Sequence, residues 1–153
     1  MPSVRLERTE ARPLAVVRKA SSREGLPRDI IAGLDTVWPV LRSQGVATGQ
    51  NVVMYRGGLD DLEIGVEVPA GFEETPEVRR SATPAGEVVT ATHWGEYSAM
   101  RAAYDALQSW CDAHGRPSTG VSWEVYGDWA DDPDELRTDI YLLLEEASHA
   151  AAP

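Results

Sequence analysis

Two carboxylates and two tyrosines lie in the last two predicted strands of the chain. Glu124 and Tyr126 are two positions apart in one strand, and Asp139 and Tyr141 have the same spacing in the next. Because side chains alternate along a strand, each pair shares one face, and a hairpin of the two strands brings all four together. A partly desolvated carboxylate among aromatic rings suits an organic cation, which supplies opposite charge and apolar bulk.

The apolar side chains of the same two strands are predicted to point the other way. Trp123 and Val125 share one face, and we expect Ile140 and Leu142 to lie with Trp123 against the helices. The carboxylates are then expected on the face of the sheet that carries no helix.

The pattern also has a plainer interpretation. Acidic residues that alternate with apolar ones are typical of the solvated face of a half-exposed sheet, and the pattern alone favours this for Glu124. Asp139 is placed to form a surface ion pair with Arg137. His93 stands at a strand end, where a structural and a functional role are equally compatible with the sequence.

Aromatic residues in the second half follow helical spacing. Tyr97, Tyr104 and Trp110 lie along one predicted helix, which favours packing in or at the edge of the core over ligand contact. Cys111 is expected to be a small buried apolar residue. We therefore expect none of these four in the binding site.

Motifs for cofactors, metals and covalent catalysis are missing from the sequence. It has no glycine-rich nucleotide loop, no phosphate loop, no His-Glu-x-x-His and no Gly-x-Ser-x-Gly. The three histidines, His93, His114 and His149, have no metal-ligand spacing. We expect neither a cofactor nor a metal ion.

The elements that must position these residues occur twice in the same order. A strand at 13–19, a helix at 27–44 and strands at 51–56 and 61–68 are followed by a strand at 87–93, a helix at 96–114 and strands at 121–126 and 136–144. Gly45 and Gly115 end the two helices. Pro39 lies inside the first helix, where we expect a kink or break.

This order predicts an α+β fold. Duplicated strand-helix-strand-strand repeats form an antiparallel sheet with two helices on one face, and the uncovered face or the cleft between the halves offers a ligand site. We expect one domain over residues 1–146, with repeat 1 at about 1–77 and repeat 2 at about 84–146. The small-residue tail at 147–153 is expected to fray.

The composition limits the function classes. The 153 residues include 14 basic and 25 acidic side chains, for a formal charge of −11, which disfavours nucleic acids and anionic membranes. A single cysteine allows no internal disulfide, and no apolar run has the length of a signal peptide or a membrane span. We expect a soluble cytoplasmic protein.

Four short motifs, in their order and spacing, resemble the GyrI-like domain, also called the AraC-type or BmrR-type effector-binding domain. They are His93-Trp-Gly-Glu-Tyr97, Trp123-Glu-Val-Tyr126, Asp132-Pro133 and Thr138-Asp-Ile-Tyr141, and the resemblance extends over about residues 4–144. It implies two repeats around a central cleft that binds hydrophobic, often cationic, compounds. It also implies that a glutamate, here Glu124, lies at the floor of an aromatic cavity.

The resemblance assigns further residues to that cleft: Tyr126, Tyr141, Trp94, His93 and Tyr55. It favours a free-standing small-molecule-binding protein that captures hydrophobic, cationic or aromatic compounds. One alternative is a hydrolase that opens strained rings of cyclopropane-type genotoxins, with the glutamate activating water. Another is a gyrase-inhibitor-like interaction module. Because the strand pattern begins almost at the N-terminus, we expect no DNA-binding segment in this chain.

Overall fold

The computed structural model describes residues 3–146, which form eight β-strands and two α-helices. The order is β1 (Val4–Thr9), β2 (Pro13–Lys19), α1 (Leu26–Gln44), β3 (Asn51–Tyr55), β4 (Leu62–Glu67), β5 (Arg79–Ala82), β6 (Gly86–Trp94), α2 (Arg101–His114), β7 (Ser118–Tyr126) and β8 (Arg137–Leu144). A 3₁₀ turn, Tyr97–Ala99, precedes α2. The predicted tail at 147–153 lies outside the described residues.

The strands form one antiparallel sheet in the order β1-β6-β8-β7-β3-β4-β2-β5. Each repeat contributes three neighbouring strands, β6-β8-β7 from the second and β3-β4-β2 from the first, and β3 pairs with β7 at the centre. Val53 and Glu124 lie directly opposite each other in that central pair. The predicted α+β class and the repeated strand-helix-strand-strand order are confirmed.

Both helices end at a glycine in the left-handed conformation. Gly45 has φ 64° and Gly115 has φ 61°, values that a residue without a Cβ adopts readily. The expected break at Pro39 is wrong, because α1 continues through it to Gln44. Val37 and Leu41, on either side of Pro39, are buried against the sheet, and this packing outweighs the backbone hydrogen bond that proline cannot make.

Each helix packs on its own half of one sheet face. The cluster under α1 joins Val37 and Leu41 to the sheet residues Ala15, Val66 and Val68. The cluster under α2 joins Ala103, Leu107 and Cys111 to Val89, Ala91, Ile140 and Leu142. A third cluster on this face, Val53, Leu62 and Ile64, packs against Leu34 of α1 and against Tyr55 and Tyr126 of the central strands.

The outermost strands, β1 and β5, were not expected, and each belongs to the opposite half of the sheet. β1 lies at the start of repeat 1 but pairs with β6 of repeat 2, and β5 precedes repeat 2 but pairs with β2 of repeat 1. Two links, residues 10–12 and 83–85, therefore cross. They bond to each other where they meet, since Thr83 N–H donates to the Arg12 carbonyl and Arg12 N–H donates to the Thr83 hydroxyl, both at 3.0 Å.

These short links require the sheet to curl. β1 and β2 are six strand positions apart, which is roughly 29 Å across a flat sheet. The chain from Thr9 to Pro13 spans at most roughly 14 Å. The helix-free face is thus rolled inward, and it encloses a core of Leu14, Val16, Val52, Met54, Val88 and Trp123. The expectation that this face is uncovered is wrong.

Candidate functional site

Glu124 lies in β7, at the centre of the sheet. It stands opposite Val53 of β3 and Ile140 of β8, and directly opposed residues share a face. Since Ile140 packs under α2, Glu124 is on the helix-bearing face. The side chain is 3% exposed, so the interpretation as a solvated surface residue is wrong.

Three tyrosines surround the carboxylate. The hydroxyl of Tyr104, from α2, donates to Oε2, and the hydroxyl of Tyr126, from β7, donates to Oε1. The phenol of Tyr55, from β3, also acts to lower the pKa of the Glu124 carboxyl. Tyr55 is two positions beyond Val53 and Tyr126 is two beyond Glu124, so the pseudosymmetry of the central strands places one phenol on each side of the glutamate.

A ring of partly exposed aromatic side chains separates Glu124 from solvent. Tyr55, Tyr104 and Tyr126 are each half-buried. Tyr97, from the turn before α2, is 41% exposed and packs edge-to-face on Tyr126, with the ring centroids 5.4 Å apart. The carboxylate therefore lies about one ring below the surface.

Burial controls the protonation of this group. It raises the pKa of Glu124, and the phenols of Tyr104, Tyr126 and Tyr55 oppose that rise. Burial, and next the negative charge of Glu124, raise the pKa of each of the three phenols. The tyrosines consequently remain donors, and none of the ion pairs within residues 3–146 involves Glu124. It is a buried carboxylate with polar neighbours and no cation of its own.

The structure does not bring all the predicted site residues to Glu124. Tyr141 stands opposite Trp123, on the rolled face, and the two rings stack with centroids 5.2 Å apart. The prediction that Glu124 shares a face with Asp139 and Tyr141, and Trp123 one with Ile140, is wrong. The prediction assumed that Trp123, as a large apolar residue, packs against the helices. The curled sheet has a second apolar core on its other face, and Trp123 lies there.

Trp94 and His93 lie at the end of β6. Trp94 is 59% exposed and stands opposite Arg137, whose guanidinium carbon is 5.7 Å from the ring centroid. The His93 Nε2–H donates to the Glu96 carbonyl at 2.8 Å. Arg137 also forms the expected pair with Asp139, at 3.2 Å. His93 lies on the helix-bearing face with Tyr126, two strands away, because both are opposite Thr138.

Sequence reasoning missed Tyr104 and Tyr97. Both follow the apolar stripe of a helix, and the ring of Tyr104 does pack at the edge of the α2 cluster. Its hydroxyl nevertheless reaches Glu124, twenty residues away in the chain. The sequence contains one sign of this contact: at position 104 a tyrosine, with a polar hydroxyl, stands on the apolar stripe of the helix where a phenylalanine would fit. Cys111 is buried in that cluster, as predicted.

The described residues hold no cluster of three or more His, Cys, Asp or Glu side chains that could bind a metal ion. Neither α1 nor α2 is long and apolar enough to cross a membrane.

The family follows from the sequence match. Residues 56–145 match the GyrI-like small molecule binding domain. The chain belongs to the GyrI-like family. No curated protein matches this chain significantly.

Several solved structures share the GyrI-like fold. The EcmrR C-terminal domain has a TM-score of 0.74 at 21% identity, over 96% of this chain and 99% of that one. A hydrolase from Listeria innocua has a TM-score of 0.62 at 11% identity, over 93% and 91% of the two chains. SAV2435, solved bound to tetraphenylphosphonium, has a TM-score of 0.61 at 9% identity, over 94% of each chain. At these identities the likeness concerns the fold.

Proposed function

We propose that this GyrI-like domain binds lipophilic organic cations at Glu124. One observation carries the proposal: a glutamate that is 3% exposed lies among three tyrosines and has no basic partner within residues 3–146. A buried carboxylate without a counter-ion is stabilised by a cation that brings its own apolar surface.

The surrounding rings favour a ligand with aromatic or bulky apolar groups. Tyr55, Tyr104, Tyr126 and Tyr97 offer ring faces and edges near the carboxylate, and aromatic faces attract cations. The ligand would displace tyrosine hydroxyls from Glu124 and then lie between the rings. His93 belongs to the outer part of this proposed site. Trp94 and Tyr141 do not, because the strand register places them on the other face.

The comparisons support this choice of ligand. The family is one of small-molecule binding domains, and a protein of the same fold was solved with tetraphenylphosphonium, a lipophilic cation. The net charge of −11 also favours the approach of a cation over that of an anion.

The test compares a cation with a neutral analogue of similar shape. Methyltriphenylphosphonium and triphenylphosphine oxide are titrated calorimetrically into the wild type and Glu124→Gln. Glutamine keeps the size and one acceptor oxygen of the side chain. We expect Glu124→Gln to weaken the phosphonium by about tenfold or more and the oxide by much less.

Glu63→Gln is the matched control. Glu63 is also a buried glutamate, 4% exposed, but it lies on the rolled face and pairs with Arg56. It should leave phosphonium binding unchanged. Equal losses for the cation and the oxide in Glu124→Gln, or no phosphonium binding by the wild type, would reject the proposal.

A second candidate function is hydrolysis of strained electrophilic rings, such as cyclopropane-type genotoxins. It is favoured by the raised pKa of Glu124, because a more basic carboxylate is a better general base for water near neutral pH. A protein of the same fold is a hydrolase. Incubation with a cyclopropane-bearing alkylator distinguishes the two functions. Catalytic formation of a hydrated product, lost in Glu124→Gln, supports the hydrolase, and binding without turnover supports the cation-binding domain.

A further inference from the structure

A cavity lies on the rolled face of the sheet, opposite the Glu124 site. It has a volume of about 530 Å³, within the usual range for small-molecule sites. The stacked rings of Trp123 and Tyr141 are part of its lining, with Glu67, Asp139 and Arg12 around them. We name it the rolled-face cavity.

Glu67 gives this cavity a buried negative charge. The residue is 8% exposed, and its Oε1 accepts the backbone N–H of Gln50 at 3.0 Å. Its Oε2 is 3.3 Å from Nη1 of Arg12, whose side chain is 71% exposed. A long contact to a solvated arginine is weak, so the guanidinium can leave at little cost.

Trp123 adds a hydrogen-bond donor to this wall. Its ring is 3% exposed and lines the cavity, and its indole nitrogen is not among the buried atoms of residues 3–146 that lack a partner. Because the N–H makes no hydrogen bond to another of these residues, it is open to the cavity and can donate to a ligand. The cavity therefore offers a buried carboxylate, a flat aromatic wall and a free donor beside one another.

We propose that the rolled-face cavity binds a flat organic cation that bears a hydrogen-bond acceptor, in the position now taken by the Arg12 guanidinium on Glu67. The cationic group pairs with Glu67, and the flat part lies against Trp123 and Tyr141. The acceptor receives the indole N–H. The cavity lining carries four carboxylates, Glu7, Glu10, Glu67 and Asp139, and two guanidiniums, Arg8 and Arg12, so its net charge is negative and disfavours anions.

The probe is 4-hydroxybenzamidine, an amidinium with a phenolic oxygen, and 4-hydroxybenzamide is its neutral counterpart. Binding is followed by NMR through the indole N–H resonance of Trp123, assigned with Trp123→Phe. We expect the amidine to shift this resonance saturably and the amide to bind about tenfold more weakly or worse.

Two variants should act in opposite directions. Glu67→Gln, which retains an acceptor for Gln50, should weaken the amidine about tenfold or more, and Arg12→Ala should tighten it because the competing guanidinium is gone. Glu63→Gln is the control for a buried glutamate outside the cavity. Weakening of the amidine by Arg12→Ala, or no loss of amidine affinity in Glu67→Gln, would mean that the amidinium does not replace the Arg12 guanidinium on Glu67, and would overturn the proposal.

The test is independent of the Glu124 site. Amidine binding that is lost in Glu124→Gln but not in Glu67→Gln would assign the probe to the other face and reject the rolled-face cavity. Failure of phosphonium binding with a normal Trp123 response would reject only the function proposed for Glu124. No response of Trp123 at millimolar amidine would also reject the cavity.

Discussion

Replacement of Tyr104 by phenylalanine isolates the bond between helix α2 and the buried carboxylate. It removes only the hydroxyl that donates to Oε2 of Glu124 and leaves the ring against the α2 cluster. A hydrogen bond to a charged group contributes about 1.5–3 kcal/mol. Since Tyr126 still donates to the carboxylate, we expect a loss near the lower bound, about 1.5–2 kcal/mol.

The measurement is a double-mutant cycle by urea unfolding at pH 8. In the Glu124→Gln variant, a bond from Tyr104 reaches a neutral amide oxygen and contributes about 0.5–1.5 kcal/mol. Tyr104→Phe should therefore cost less in that variant than in the wild type, with a coupling of about 1 kcal/mol. Tyr97→Phe is the control. Because Tyr97 is 41% exposed, the loss of its hydroxyl should change stability by less than about 0.5 kcal/mol.

Two results would refute this reasoning. One is a cost of Tyr104→Phe that is the same with glutamate and with glutamine at position 124. The other is a cost no larger than that of Tyr97→Phe. Either would mean that the ring of Tyr104, not its hydroxyl, provides the stabilisation.

Two further predictions concern pH and packing. Burial raises the pKa of Glu124, so between the ordinary and the raised value the folded chain keeps a proton that the unfolded chain has lost. The stability of the wild type relative to Glu124→Gln should therefore fall as the pH rises through this range. A difference in urea-unfolding free energy that does not change with pH would contradict this prediction. Gly65→Ala would place a Cβ 1.8 Å from the Ala15 carbonyl oxygen, between β4 and β2, and should cost about 3 kcal/mol or more. Gly57→Ala is the control, because its Cβ would meet only an ordinary 3.5 Å contact. If Gly65→Ala lost no more unfolding free energy than Gly57→Ala, β4 and β2 would be able to move apart without cost, and the prediction would be wrong.

The repeated elements were predictable because their signals are local. Apolar periodicity defined the strands and helices, and Gly45 and Gly115 ended the helices where the left-handed conformation was needed. β5 was missed because its sequence, Arg-Arg-Ser-Ala, has no apolar alternation. It forms a strand because it pairs with the free edge of β2, and this pairing depends on the tertiary structure.

The site was predictable only in part for a related reason. Alternation correctly grouped Glu124 with Tyr126, but it cannot tell which face of a sheet meets the helices. Trp123 was assigned to the helix side because it is large and apolar, and the curl that gives it another interior depends on the crossing of two remote links. Tyr104 reaches Glu124 because α2 packs on the sheet, and the spacing of residues along the sequence does not indicate this contact.

The exchanged outer strands make the two repeats intertwined. If the chain were divided in the loop before β5, each fragment would carry a strand whose pairing edge belongs to the other, and neither would complete its own half. The duplicated unit is thus half of a jointly folded pair, with assembly dominated by contacts distant in sequence, which is typical of slow, all-or-none folding. A single repeat with these strands would therefore need a second copy to complete its half of the sheet.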